Sequence, residues 1–198
     1  MQTRIQKLAN TAILTALSIV LSFVIIFEML YGGSVTLACM LPIMLVALRY
    51  GTAWGLGAGL VHALFQIAQA VMHNNVFNYC ETGGTLAICV FFDYILPFTL
   101  IGLAGVFRRI GTARLPHLGA YLGILGVFVV RFFCHFVSGV FIWGQWAPEG
   151  MGKYLYSFIY NGSFLGAELI ITMILAVILI ESPQIGKYLD LPEGKKSA

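Results

Sequence analysis

The stretch LGAYLGILGVFVVRFFCHFVSGVFIW, residues 118–143, decides the fold class of this 198-residue chain. Arginine and histidine each occur once in it, as Arg131 and His135, and it contains no aspartate, glutamate or lysine. A helix that crosses a bilayer needs about 20 apolar residues, so this stretch is long enough to do so. We therefore predict a membrane-spanning helix that carries polar groups near its centre, where they are costly and demand a partner or a function.

The remainder of the chain has the same apolar character. Hydrophobic residues make up 60% of the sequence and charged residues only 10%, whereas about a quarter of the residues in a soluble domain are charged. Too little polar surface remains to cover a soluble core. The chain is therefore predicted to be an integral membrane protein, surrounded by the lipid bilayer. Its small net charge of +3 indicates no nucleic-acid partner.

Six apolar runs predict an all-α membrane protein, a compact bundle of six transmembrane helices that forms a single domain over residues 1–198. The runs lie at about 10–27, 35–50, 52–72, 85–107, 118–143 and 161–181. An even number of spans places both termini on the same side of the membrane.

The basic residues predict which side that is. Nine of the eleven fall on the side of the N-terminus: Arg4, Lys7, Arg49, Arg108, Arg109, Arg114, Lys187, Lys195 and Lys196. Because cytoplasmic loops are enriched in lysine and arginine, both termini are expected in the cytoplasm. The outward loops contain Glu28, Glu81 and Glu149, so they suit a cationic or neutral solute better than an anion.

Titratable residues in three of the predicted spans fall at one depth. At about 1.5 Å per residue, Asp93, His135 and Glu168 each lie roughly 10–12 Å below the outer surface. On the third span, a polar stripe that includes Gln69 leads to the outer end. The inner halves of the spans are nearly all apolar. This asymmetry favours an outward-facing cavity with a closed floor over a continuous pore.

The intramembrane polar residues leave structural and ligand-binding roles open. Arg131 and Glu168 favour a structural ion pair between the fifth and sixth spans. His62, near mid-membrane, is typical of a core histidine whose hydrogen bonds are satisfied. Asp93 is followed four residues later by Pro97, which disturbs backbone pairing. For Asp93, a ligand contact and a structural hydrogen bond are equally compatible with the sequence.

The segment 143–160 is dense in aromatic side chains. They are Trp143, Trp146, Tyr154, Tyr156, Phe158 and Tyr160. An aromatic belt at the membrane interface accounts for one or two of them. Because the others lie above a carboxylate, they favour a flat cationic heterocycle, bound by stacking and by cation–π attraction of about 0.5–2 kcal/mol per ring.

Several kinds of chemistry have no matching motif. The sequence contains no phosphate-binding loop of the form G-x-x-x-x-G-K-[ST], so uphill transport requires a partner that supplies energy. The four cysteines form no C-x-x-C pair, and neither a metal site nor a cofactor is predicted. An intramembrane enzyme that uses Asp93, His135 and Glu168 as acid and base groups remains an alternative of a different class.

Motifs along nearly all of the predicted spans are similar to those of one known family. The most specific stretch runs from His135-Phe-Val-Ser-Gly-Val through Trp143 and Ala147-Pro-Glu-Gly-Met151 to Leu155-Tyr156-Ser-Phe-Ile-Tyr-Asn161-Gly162. Supporting pieces are Gly32-Gly33-Ser34, Leu41-Pro42-Ile43, Phe92-Asp93-Tyr94 and Ala12-x-x-x-Ala16. In these motifs the chain resembles the thiamine-specific substrate-binding (S) components of bacterial energy-coupling factor (ECF) transporters, the ThiT-like family.

The resemblance implies a high-affinity thiamine site and assigns residues to it. The implied contacts are Asp93, Tyr94, His135, Gly139, Trp143, Tyr156 and Asn161. Asp93 would hold the aminopyrimidine, at a position where relatives usually have glutamate. Tyr31 or Phe27 would supply an aromatic residue of a lid formed by the first outward loop, and Gln69 is a further candidate for the site or its lid.

The resemblance also implies partners. The chain would capture thiamine from outside, cover it with the first loop, and associate with a coupling transmembrane protein and two ATPase subunits. Ala12 and Ala16 would form the docking surface for the coupling protein, because small residues permit close helix contact. On this reading the chain is not an enzyme. Another vitamin, or a precursor of thiamine, is the alternative ligand within the same class.

Overall fold

Five long apolar helices make up the bundle in the computed structural model, which describes residues 3–29, 33–72, 76–112 and 114–192. They are α1 (Arg4–Ser22), α3 (Thr52–Met72), α4 (Gly83–Gly105), α5 (Leu118–Phe141) and α6 (Lys153–Ile180). Two shorter helices are α2 (Leu41–Tyr50) and α7 (Pro183–Leu189). The long helices match a hydrocarbon core of about 30 Å, and the predicted helical membrane bundle is confirmed.

Helix α2 is too short to cross a membrane, in contrast to the span predicted at 35–50. Its ten residues rise about 15 Å, half of the hydrocarbon core. Every residue from Leu41 to Leu48 is buried, as expected for a helix that is apolar on all sides. It packs against α1, α3 and the last turns of α4, and is therefore an internal helix of the bundle.

A two-stranded antiparallel hairpin lies between α1 and α2 and is an exception to the all-α prediction. Strand β1 (Ile25–Glu28) pairs with β2 (Ser34–Thr36). The predicted first span extended to residue 27, but α1 ends at Ser22. The β-branched run Val24-Ile25-Ile26 that follows prefers a strand to a helix. The ends of the first two apolar runs thus form the hairpin instead of helix.

Helices α1 and α6 both begin earlier than predicted. A capping box formed by Thr3 and Gln6 starts α1 at Arg4. Helix α6 starts at Lys153 instead of 161, directly after a turn in which Gly150 has a φ of 83°. The chain has no glycine or proline from Lys153 to Asn161 to interrupt a helix. Consequently the aromatic residues at 154–160 lie on the first two turns of α6 and not in a loop.

Helix α4 contains a π-helical segment at Val90–Ile95. Pro97 explains it, because proline has no N–H and its ring collides with the carbonyl four residues earlier, which is that of Asp93. The backbone instead uses wider hydrogen bonds such as the one from the Leu96 N–H to the Phe91 carbonyl. A π segment inserts an extra residue into a helix, so this one sets the direction in which Asp93 points.

Close backbone contact holds α4 against α5. A Cβ atom added at Gly123 would lie 2.1 Å from the carbonyl oxygen of Ala104. Only glycine permits this approach, which is typical of the small residues at helix contacts in membrane proteins. At the cytoplasmic end expected from the basic residues, Arg108 donates to the carbonyls of Leu48 and Arg49. These are among the last carbonyls of α2, which otherwise have no helical partner.

Candidate ligand-binding site

A cavity of about 260 Å³ lies beneath the hairpin, at the end of the bundle expected to face outward. Its size is close to the lower limit of small-molecule sites, about 300–1,000 Å³. The hairpin and helices α3, α4, α5 and α6 all contribute to its wall. The polar and aromatic side chains of the wall include Glu28, Gln66, Gln69, Asp93, Tyr94, Arg131, His135, Trp143, Tyr160 and Asn161.

Asp93 is bound by three donors of the protein itself. His135 Nδ1 lies 3.0 Å from its Oδ1, and the Ser138 hydroxyl donates to the same oxygen. The indole N–H of Trp143 donates to Oδ2 at 3.0 Å. A carboxylate has about four lone-pair positions, so these donors leave one acceptor position, on Oδ2, for a ligand.

The Asp93 carboxylate also sets the state of His135. Because a carboxylate only accepts, Nδ1 carries a hydrogen and donates it to Oδ1 of Asp93. Nε2 is buried and has no hydrogen-bond partner among the described residues. The pair therefore presents the remaining acceptor position of Asp93, which suits a ligand with an N–H donor, and Nε2 of His135 is a further polar atom that a ligand can contact.

An ion pair between Arg131 and Glu168 lies one helical turn deeper than His135. Arg131 Nη1 is 3.5 Å from Glu168 Oε2, and their side chains are 5% and 3% exposed. The Thr36 hydroxyl of β2 donates to Glu168 Oε1 at 2.6 Å. The guanidinium also lies 4.8 Å from the centroid of the Phe98 ring. This network joins α5, α6 and the base of the hairpin, and it closes the floor of the cavity.

Aromatic rings surround the mouth of the cavity. Trp143 lies on a 3₁₀ turn, Trp143–Trp146, directly after α5. Its ring centroid is 5.7 Å from that of Trp146 and 6.3 Å from that of Tyr79. The rigid cluster holds the Trp143 indole beside the Asp93 carboxylate, which is the juxtaposition that a flat cation requires.

The structure brings most of the predicted site residues together. Those that line the cavity are Asp93, Tyr94, His135, Trp143, Asn161 and Gln69. Asn161 donates its amide hydrogens to the backbone carbonyls of His135 and Ser157. Its place in the wall is therefore fixed by hydrogen bonds to both α5 and α6.

Gly139 and Tyr156 are placed differently from what the resemblance implies. A Cβ at Gly139 would lie 2.1 Å from Ser157 Oγ, so this glycine lets α5 and α6 touch and does not open the backbone to a ligand. Tyr156 is not part of the cavity wall as described. Tyr160, one turn later with its ring centroid 5.8 Å away, occupies the wall instead.

The two lid candidates are not placed in the wall either. Phe27 lies on β1 with 61% of its surface exposed, whereas its neighbour Glu28 lines the cavity. Tyr31 lies outside the described residues. Within the described part of the hairpin, the residues over the cavity are Ile25, Glu28, Gly33 and Ser34.

Two important residues, Ser138 and Tyr160, were not predicted as part of the site. Ser138 follows His135 by three residues and so shares its helix face, which is the signal that could have identified it. Tyr160 was included only in the aromatic segment 143–160 and was not assigned individually, because the start of α6 was placed after it. Its role became visible only with the helix extended to Lys153.

A second, apolar groove of about 740 Å³ runs along the outside of α1 and α3. Ala12 and Ala16 lie in it with exposed side chains, opposite Gly57 of α3. A Cβ at Gly57 would have nothing within 4 Å. The groove is thus an open surface, separate from the cavity, that lacks bulky side chains along its centre.

Together, the apolar helices, the polar cavity with its bound carboxylate, and the covering hairpin define a membrane protein that binds a small molecule from one side. The sequence profile of the family described as Thiamine transporter protein (Thia_YuaJ) matches residues 8–186. The chain belongs to this family, and the resemblance seen in the sequence is confirmed.

Individual relatives can be aligned with this chain along nearly their whole length. The chain is 29% identical over 191 residues to "Thiamine transporter ThiT" of Bacillus subtilis (strain 168). This alignment covers 91% of this chain and 94% of that protein. It is 29% identical over 191 residues to the protein of the same name from Lacticaseibacillus paracasei, with 89% and 88% covered.

A solved structure of ThiT from Listeria monocytogenes has the same fold. It superimposes with a TM-score of 0.74 at 25% identity and covers 95% of this chain and 99% of that one. The relatives from Bacillus subtilis and Lacticaseibacillus paracasei are named as transporters and not as enzymes. The prediction that the chain is not an enzyme is confirmed, and the acid/base enzyme is set aside.

Proposed function

We propose that this chain binds thiamine in the cavity and acts as the substrate-binding (S) component of an ECF transporter. The observation that carries the proposal is the Asp93 carboxylate in the cavity wall, bound by His135, Ser138 and Trp143 and left with one acceptor position. Membership in the thiamine transporter family supports the choice of ligand.

The charges of the cavity suit the thiamine cation. Its wall contains two carboxylates, Glu28 and Asp93, and one guanidinium, that of Arg131. The charge of Arg131 is paired with Glu168, so the wall carries a net negative field that attracts a cation. The closed floor and the outward opening fit capture from outside, followed by a separate release step.

The proposed contacts follow from the donors and acceptors on each side. Thiamine joins an aminopyrimidine to a positively charged thiazolium ring. The free acceptor position of Asp93 takes an N–H of the amino group, and the buried Nε2 of His135 is a further polar atom that the ligand can contact. The Trp143 and Tyr160 rings provide faces against which the heterocycles stack.

Transport requires partners, since the sequence has no nucleotide-binding loop. In the proposal, a coupling transmembrane protein docks in the groove along α1 and α3, where Ala12 and Ala16 leave room for another helix. Two ATPase subunits attached to that protein supply the energy. The S component itself supplies recognition of the vitamin.

The first experiment is a titration of the purified chain with thiamine, in detergent and in nanodiscs, monitored by tryptophan fluorescence. We expect saturable quenching with a dissociation constant in the nanomolar range. Trp143→Phe should remove most of the quenching while calorimetry still detects binding. Phenylalanine keeps an aromatic face at this position and removes only the fluorescent indole. Absence of binding in both environments would contradict the proposal.

Competition separates thiamine from related ligands. Thiamine should displace bound label better than its pyrimidine precursor, because the precursor lacks the thiazolium cation that the wall attracts. Stronger displacement by the precursor would transfer the assignment to that compound.

A second experiment tests the docking groove. In vesicles that contain the S component, a coupling protein and both ATPases, Ala12→Leu with Ala16→Leu should abolish thiamine uptake and leave thiamine affinity unchanged. Ile13→Phe is the matched control, because Ile13 is 66% exposed on α1 but lies outside the groove. Uptake that survives the alanine replacements would show that the coupling protein docks elsewhere.

A further inference from the structure

A chain of hydrogen bonds runs from the cavity wall to α1 through His62, which is fully buried. Gln66 Nε2 lies 3.0 Å from His62 Nε2, and His62 Nδ1 lies 3.2 Å from Ser18 Oγ. The Ser18 hydroxyl in turn donates to the backbone carbonyl of Cys39. Both ring nitrogens of His62 therefore have partners.

The direction of each hydrogen bond follows from Ser18. A hydroxyl has one hydrogen, and here it goes to the Cys39 carbonyl, so Ser18 accepts from His62. Nδ1 of His62 therefore carries a hydrogen. Because a charged imidazole is costly in an apolar interior, Nε2 is the unprotonated nitrogen. Gln66 must then present its NH₂ group to His62.

The hydrogen bonds from Ser18 through His62 fix the orientation of the Gln66 amide. A glutamine amide that is turned over exchanges its donor and its acceptor, but a turned Gln66 would set its oxygen against the lone pair of His62 Nε2. Gln66 lines the cavity, and among the described residues Oε1 has no hydrogen-bond partner. The wall thus offers an acceptor at this position, separate from the Asp93 carboxylate.

We propose that Gln66 is a specificity-determining residue of the site, that its Oε1 accepts the hydroxyl of the ligand's hydroxyethyl arm, and that His62 is its positioning residue. This inference rests on the proposed function. Thiamine has two groups that donate hydrogen bonds, the amino group and this hydroxyl. Asp93, a charged acceptor held by three donors, takes the amino group, and Oε1 of Gln66 is an uncharged acceptor for the hydroxyl.

Gln69 provides a matched comparison on the same helix and in the same wall. The Ser22 hydroxyl, which also donates to the Ile19 carbonyl at 2.7 Å, lies 3.0 Å from its Oε1, and its Nε2 donates to the Ser22 carbonyl at 3.4 Å. Both ends of this amide are therefore bound to α1. Within the described part of the chain, Gln69 is hydrogen-bonded to Ser22 and not to His62, so its amide is not oriented by the histidine.

The first test compares thiamine with the analogue in which hydrogen replaces the hydroxyl. Gln66→Leu should weaken thiamine binding about twofold to tenfold, the value of one neutral hydrogen bond, and leave binding of the analogue unchanged. Gln69→Leu should change the affinities for both ligands by the same factor. An equal loss for both ligands with Gln66→Leu would overturn the inference.

The second test asks whether His62 acts through Gln66. His62→Leu should lower the preference for thiamine over the analogue, and it should cause no further loss of this preference when combined with Gln66→Leu. Combined with Gln69→Leu, the two effects should add. Ser18→Ala removes the acceptor of the His62 N–H together with the donor to the Cys39 carbonyl. It should act in the same direction, and it tests the relay if His62→Leu does not fold.

The outcomes distinguish this inference from the proposed function. If the wild-type chain does not bind thiamine, the proposed function fails. If the wild-type chain binds thiamine and the His62 and Gln66 replacements have additive effects on the preference, only the inference fails.

Discussion

The hydroxyl oxygen of Tyr160 accepts a hydrogen bond from the backbone N–H of Gly33, with 3.0 Å between nitrogen and oxygen. The carbonyl of the same glycine accepts from the N–H of Met29 at 2.7 Å. A Cβ at Gly33 would lie 2.8 Å from the Tyr160 hydroxyl oxygen, so a larger residue there would displace the tyrosine. The hairpin is thus tied to α6 by a side chain of the cavity wall.

Removal of this hydroxyl should speed the release of bound ligand. We expect Tyr160→Phe to raise the dissociation rate of thiamine about threefold to tenfold, the value of one hydrogen bond, with little change in the association rate. Stopped-flow fluorescence measures both rates. Tyr154→Phe is the control, because Tyr154 lies on the same helix with 62% of its surface exposed. A similar change in this control would argue against a specific tie.

Replacement of the central carboxylate should abolish tight binding. Asp93→Asn keeps the shape but loses the charge and turns an NH₂ group toward the surrounding donors. Each buried donor left without an acceptor costs about 1–3 kcal/mol, so thermal stability should fall as well. We expect thiamine affinity, measured by calorimetry, to decrease well over tenfold. Glu149→Gln, at an exposed carboxylate of the outer segment, should bind normally, and wild-type affinity in Asp93→Asn would refute the proposed site.

The contributions of Arg131 and Glu168 to the free energy of unfolding should be coupled, because each buried charge is the partner of the other. Glu168→Leu leaves Arg131 buried without its counter-ion and should lower the free energy of unfolding by about 3–5 kcal/mol. Adding Arg131→Met to this variant should recover part of the loss, because the buried charge is then removed. Unfolding in detergent measures both. Strictly additive losses would show that the two side chains contribute independently.

Acid should selectively weaken a contact just past the end of α6. The Tyr121 hydroxyl donates to Glu181 Oε1 at 2.6 Å, and His117 Nδ1 lies 3.0 Å from the same oxygen. These hydrogen bonds hold the pKa of the Glu181 carboxyl below its ordinary value. The charged form therefore stabilises the fold above the unfolded pKa, about 4.3, and this contribution is lost as the pH falls through the folded pKa.

The measurement is the Tm difference between the wild-type chain and Glu181→Gln. It should be present at pH 5 and shrink as the pH falls below about 4.3. The effect should be modest, because the Glu181 side chain is 52% exposed. A difference that grows on acidification would contradict the sign of the pKa change.

Apolar runs predicted the long helices well because length and composition are sufficient to identify a membrane span. At 35–50 the helical part, α2, is only ten residues long and is buried in the bundle, which composition does not reveal because a helix buried in protein and a helix buried in lipid have the same apolar character. The start of α6 at Lys153 was missed for a related reason, since aromatic residues at an interface were interpreted as a loop.

For the site, depth along the helices brought Asp93 and His135 together correctly, and their separation is only 3.0 Å. Depth does not give the rotation of a helix about its axis. That rotation depends on the π segment at Val90–Ile95, which ordinary helical periodicity does not reveal. Ser138 and Tyr160 therefore emerged only from the structure.

The half-length helix α2 has a practical consequence for chimeric transporters. It continues directly from the hairpin through Ala38, which has a φ of 50° and whose carbonyl accepts from the Leu41 N–H. The hairpin and α2 thus share one crossing of the membrane. An exchange of lids between relatives should therefore transfer residues 24–48 as a single cassette, because a graft of the outer loop alone would separate the lid from the internal helix that supports its base.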